Sequence, residues 1–199
     1  MKIYDITQEV FGCDVYPGDP HPQRNILSSI ENGDLYNLTA FSMCAHNGTH
    51  IDAPSHFIKD GDTITDLDLK KVVGYAYVAK REGVIDSNAA KLIIEEAKSV
   101  SNEAALRILI SGKATITNEA AEAFSASNIL LIGVESQTVG PESAPMYSHV
   151  KLLSQGIAIL EGVRISDVPA GAYFLFAAPI KLEGSDGAPC RAILVDFNQ

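Results

Sequence analysis

Three of the chain's five histidines fall within one eleven-residue stretch, His46-Asn-Gly-Thr-His50-Ile-Asp52-Ala-Pro-Ser-His56. Imidazole nitrogens and a carboxylate together suit zinc, iron, nickel or manganese. Such a cation lowers the pKa of a bound water to about 7, which makes hydroxide available at neutral pH. The spacing admits two geometries. On a helix, His46 and His50 at i and i+4 share a face, but Gly48, the β-branched Thr49 and Ile51, and Pro54 oppose a helix. Extended chain fits better, because a period of two sends His46, Gly48, His50, Asp52 and His56 to one side. A polar strand facing solvent is the plainer reading; Asp52 in phase with three imidazoles favours an edge of ligands. One strand cannot complete a coordination shell, so remote donors must return to it, and His21 and His149 are the only other histidines.

The elements that must position these groups can be read around them. The chain has 199 residues, which predicts one domain over 1–199. It is 46% hydrophobic and 20% charged, and a chain of this size buries roughly 70% of its unfolded surface. The segment 72–78 is β-branched and aromatic and reads as a strand. Ser87 caps a predicted helix with Leu92, Ile93 and Ala97 on its inner face. A strand over 106–110, a helix over 117–125 and a strand over 129–134 follow. A third helix over 147–155 stops at Gly156, which leads into a strand ending at Glu161. Short apolar pieces at 3–4 and 38–41, and again at 173–176 and 192–197, predict further sheet at both ends. The fold class is therefore α/β, with a mixed, barrel-like sheet covered by helices.

The formal net charge of −10, with its fifteen Lys and Arg scattered, disfavours nucleic acid and anionic membrane as partners. No apolar run is long enough for a membrane span. Cys13, Cys44 and Cys190 are odd in number and far apart, which reads as free thiols in a cytoplasmic protein. Cys44, in phase with His46, reads as a buried thiol before a soft ligand. His21 sits between prolines in a surface loop. Gly184-Ser185-Asp186-Gly187 is either a hairpin loop or a flap over the site.

The pattern H-x-G-T-H-x-D-x-P-x-H over 46–56 resembles the signature of the cyclase family, which includes bacterial kynurenine formamidases and isatin hydrolases. Tyr16-Pro-Gly-Asp19 is similar to the W-P-G-D segment of the formamidases, with Tyr16 in place of Trp in a chain that has no Trp. His149 and Glu161, twelve residues apart, are similar to the family's distant ligands, and VPAGAY at 168–173 and LEGSDGAP at 182–189 resemble its C-terminal region. The resemblance implies a swivelling β/β/α fold and a homodimer or homotetramer. It also implies two divalent cations per chain, zinc or manganese. His46 and His50 would hold one, Asp52 would reach both, His149 would hold the second and Glu161 would bridge. His56 would be the proton donor and acceptor. The implied reaction is hydrolysis of a formamide, lactam or similar amide of a small aromatic substrate, with Tyr16 against its ring. Independently of the resemblance, Ser136 or Gln137 reads as touching substrate, because strand C-terminal ends in α/β sheets carry ligands and these residues follow the 129–134 strand. A cyclase or dehydratase using the same cations is the alternative, as is a metal-binding module without turnover.

Overall fold

The structure is a computed structural model that describes residues 1–197 of the 199. Thirteen strands are formed among these: β1 Lys2–Asp5, β2 Gln23–Ser28, β3 Leu38–Ser42, β4 His50–Asp52, β5 Val73–Lys80, β6 Gly83–Ile85, β7 Arg107–Ser111, β8 Ala114–Ile116, β9 Leu131–Val134, β10 Ala158–Glu161, β11 Gly171–Phe176, β12 Gly187–Pro189 and β13 Ile193–Asp196. The helices are α1 Ser87–Val100, α2 Asn118–Ser125 and α3 Met146–Leu153. Nine strands form one curled sheet in the order β1-β13-β11-β5-β7-β9-β10-β4-β12. Its centre, β5-β7-β9-β10, is parallel, and both flanks are antiparallel. The mixed, barrel-like sheet expected from the sequence is therefore present.

The parallel strands are apolar on both faces because each face has its own core. Ile108, Ile110, Ile132 and Ile159 meet α1, α2 and α3, whereas Leu109, Leu131 and Leu160 point into the hollow of the sheet with Leu175 and Leu194. Strand alternation thus serves two layers at once. The helix α1 differs in detail from expectation. Its cap is Asp86, whose side chain accepts from Ala89 N–H at 2.8 Å, and Ser87 is its first helical residue. Leu92 is exposed, and Ala90, Ile93, Ile94 and Ala97 form the inner face. The helix rotates toward small residues because Ala90 and Ala97 allow it to approach the sheet closely.

The two-stranded ribbon β2–β3 stands apart from the main sheet. Ile26, Leu27, Leu35, Tyr36 and Phe41 on and around it are exposed.

Candidate metal centre

Three short strands at one edge of the sheet build the floor of the site. The register sets Glu161 of β10 opposite His50 of β4, and His50 opposite Pro189 of β12. Directly opposed residues share a face, so His50 and Glu161 point the same way. Asp52, two residues along, joins them. The intervening Ile51 turns into the opposite core.

The 46–56 stretch is not one extended edge. Only His50–Asp52 is strand; His46 lies in a turn, Gly48 takes φ +66°, and Pro54–His56 is a turn of 3-10 helix. Gly48 and Pro54, which oppose a helix, also break a strand. The bends matter, because a fully extended chain would set His46 and His56 roughly 33 Å apart at 3.3 Å per residue. In the structure their rings stack, with centroids 3.9 Å apart and planes at 24°.

The donors converge on a buried space. His50 Nε2 is 3.2 Å from Asp52 Oδ1 and 3.5 Å from Glu161 Oε2. His149, from the middle of α3, brings its Nε2 to 3.1 Å from Glu161 Oε1 and 3.5 Å from Asp52 Oδ2. His46 Nδ1 is 3.0 Å from Asp52 Oδ1. Two triads share Asp52, His46/His50/Asp52 and Asp52/His149/Glu161, and a third, more exposed group is His46/His56/Asp186; the ligand atoms of each lie within 4.8 Å of one another.

This donor set fits divalent cations, and the outer hydrogen bonds say why. His50 Nδ1 faces the Gly48 carbonyl at 3.0 Å and His149 Nδ1 the Pro145 carbonyl at 2.8 Å. A carbonyl only accepts, so these nitrogens carry hydrogens and the Nε2 atoms are left toward the carboxylates. Acceptor then faces acceptor unless a proton or a cation lies between. His50 Nε2 and Asp52 Oδ2 are buried and make no hydrogen bond among the described residues, and such orphaned groups are rare in folded proteins.

Without a cation, protons take that place. Burial alone would lower the His50 imidazole, but Asp52 and Glu161 hold it up at about 10. His149, likewise opposed by burial, is held by Glu161 and Asp52 at about 9. Burial would raise Asp52, yet His46 and His50 draw it well below the usual carboxylate range. His56 moves the other way: burial pushes it below the ordinary imidazole value, so it is neutral at pH 7.

A cavity of about 230 Å³ opens beside these groups, lined by Tyr16, Asp19, His46, His56, Phe57, Gln137, Thr138, Pro145, His149 and Glu161. The Tyr16 hydroxyl donates to Glu142 O at 2.9 Å, which ties the first loop to the segment between β9 and α3. Ser136 and Gln137, the two strand-end candidates, are placed differently. Ser136 lies outside this cavity, in a separate depression with Asp14 and Arg164, and its hydroxyl donates to Thr138 O at 2.6 Å. Gln137, next along the chain, lines the cavity instead. Cys44 is half-buried, belongs to neither triad and lies outside the cavity lining. Asp186 was missed by sequence reasoning as a site residue. Its Oδ2 is 3.0 Å from His46 Nε2 and 3.2 Å from His56 Nδ1, and its only signal was the loop that could act as a flap.

A curled α/β sheet with buried imidazoles and carboxylates at one edge defines the class. Residues 4–141 match the family model described as "Putative cyclase", and the chain belongs to that family. It is 30% identical over 212 residues to the kynurenine formamidase of Salinibacter ruber, covering 98% of both chains. A solved structure described as a "Potential Metal-Dependent Hydrolase With Cyclase Activity" is 28% identical and superposes with a TM-score of 0.80, covering 97% of this chain and 96% of that one. Isatin hydrolase A from Labrenzia aggregata, 21% identical, shares the fold with a TM-score of 0.82 over 98% of this chain and 93% of its own.

Proposed function

We propose that this protein is a metal-dependent hydrolase that cleaves the C–N bond of a formamide, lactam or similar amide in a small aromatic substrate. The observation that carries the reading is the convergence of His46, His50, Asp52, His149 and Glu161 beside a cavity that His56 also lines. The likeness to a kynurenine formamidase over 98% of both chains supports it. The two triads would hold two divalent cations, zinc or manganese, since imidazole and carboxylate suit both. Bound there, such cations supply an acidified water and a polarised carbonyl.

The chain's own groups do the rest. His56, neutral at pH 7, takes a proton from the attacking water at its free Nε2. The oxygen so released adds to the carbonyl carbon. His56 then gives the proton to the leaving nitrogen as the C–N bond breaks. Tyr16 and Phe57 flank a planar group in the cavity, and the carbonyls of Gly48 and Pro145 keep His50 and His149 in the tautomer that faces Asp52 and Glu161.

The experiment is incubation of zinc- or manganese-loaded protein with N-formylkynurenine, isatin and formanilide. Hydrolysis of at least one is expected, and bound metal without hydrolysis of any small amide contradicts the reading. We further propose that 1–199 acts as one domain in a cytoplasmic homodimer or homotetramer. The three unpaired cysteines support a reducing compartment. The exposed apolar side chains of the β2–β3 ribbon support self-association, because a two-stranded ribbon is marginal alone in water. Light scattering on the intact protein tests this, and a monomer at micromolar concentration contradicts it.

A further inference from the structure

We propose that Asp186 is a positioning residue that fixes the tautomer and aim of His56 while bracing His46, both through one carboxylate oxygen. The proposal rests on the hydrolase reading for the role of His56, but its geometry stands independently. Asp186 Oδ2 lies 3.0 Å from His46 Nε2 and 3.2 Å from His56 Nδ1. An ionised carboxylate only accepts, so both nitrogens present hydrogens to it. His46 is thereby left with Nδ1 toward Asp52 Oδ1. His56 is left with Nε2, which makes no hydrogen bond among the described residues, on a ring that lines the cavity. The shared oxygen also holds the two rings in their parallel stack.

The loop carrying Asp186 is fastened well enough to do this. Asp186 O accepts from Ala53 N–H and Ser185 O from Ile64 N–H, each at 2.9 Å. The Ser185 hydroxyl donates to Gly187 O at 2.7 Å, and Gly187 then pairs with Asp52 as β12 begins. A Cβ on Gly187 would stand 2.6 Å from His46 Cε1, so the bare glycine lets the imidazole lie against the strand. Asp186 is therefore held by the backbone in the loop that leads into β12, where its carboxylate reaches both rings. In the cleavage step it keeps His56 Nε2 aimed so that the proton taken from water reaches the leaving nitrogen.

The test compares the zinc-loaded protein with its Asp186→Asn and Asp186→Glu variants. Heteronuclear NMR of the His56 ring should find the proton on Nδ1 in the parent and shifted toward Nε2 in Asp186→Asn, with zinc content unchanged. Formanilide, whose leaving nitrogen must be protonated, should lose roughly 10- to 100-fold in kcat with KM within about threefold. Para-nitrophenyl formate, whose leaving oxygen departs without a proton, should slow less than formanilide, because it loses only the uptake of the water's proton at His56 Nε2. Asp186→Glu should recover part of the formanilide rate. The proposal is overturned if the His56 tautomer is the same in parent and Asn variant, if both substrates slow equally, or if zinc content falls, which would make Asp186 a ligand. A parent with the proton on Nδ1 that hydrolyses neither probe supports the positioning and rejects the hydrolase reading.

Discussion

The β7-β9 middle of the sheet and its β10-β4-β12 edge are equally buried and opposite in chemistry. At the centre Ile108, Leu109, Ile110, Leu131 and Ile132 are fully buried among other apolar side chains, and each such burial stabilises the fold by roughly 1.5–3 kcal/mol. At the edge the residues equally withdrawn from water are His50, Asp52 and Glu161. Burying ionisable groups costs free energy unless they are paired. The centre contributes the stability that lets the edge keep donors facing one another. Loss of an edge residue should therefore act first on metal and chemistry, and loss of a central residue on stability alone.

The largest separation should come from Asp52→Ala. Asp52 belongs to both triads, so metal content should collapse and turnover fall by more than the roughly 100-fold upper range of an outer-sphere partner. Emission spectrometry alongside rates checks this, and a variant that keeps full metal and full rate would break the comparison at the edge. Next, His56→Ala should keep its metal and lose about 10²- to 10⁴-fold in turnover; loss of metal there would make His56 a ligand. Ile108→Ala, at the centre, should lower stability by roughly 3 kcal/mol, about 6–12 °C in Tm, with the rate of the folded enzyme unchanged. Chelation should lower Tm by up to a similar amount for each cation it removes, because one cation at 100 times its Kd contributes about 2.7 kcal/mol.

The last effect is on pH dependence. His50 and His149 are held at about 10 and about 9 in the folded chain, above the ordinary 6.5. Their contribution to the chelated protein is fully present below pH 6.5 and is lost as pH rises through 9 and then 10. Metal binding must displace the same protons, so affinity should rise over that window. Thermal scans of chelated protein should show Tm falling from pH 6.5 to 10, with a flatter profile for the loaded protein. A Tm that rises there in the chelated protein contradicts the assignment.

Much of this contrast could be read from the chain. The apolar strands and their helices were legible because β-branched runs and 3.6-residue periodicity are local signals. His50, Asp52 and Glu161 were legible because alternation places the first two on one face and Glu161 ends its own strand. The bends at Gly48 and Pro54 were visible as residues, but that they would fold His46 and His56 back into a stack was not, since period two predicts only a direction. Leu92 was assigned to a face that packing against small residues rotated away. Ser136 and Gln137 differ by one position, and at a strand end that single step decides which of them enters the cavity. Asp186 was missed because its partners lie more than a hundred residues away, a distance that no local pattern spans.

The central claim is that cations bind where β4, β10 and α3 meet. Anomalous diffraction from crystals of the zinc-loaded protein, recorded at the zinc edge, tests it most directly. The account predicts two peaks, each about 2.0–2.2 Å from the nitrogen and oxygen atoms of one triad, with Asp52 in contact with both. Loaded crystals with no peak near His50, Asp52, His149 and Glu161, or with zinc held elsewhere on the chain, would contradict it.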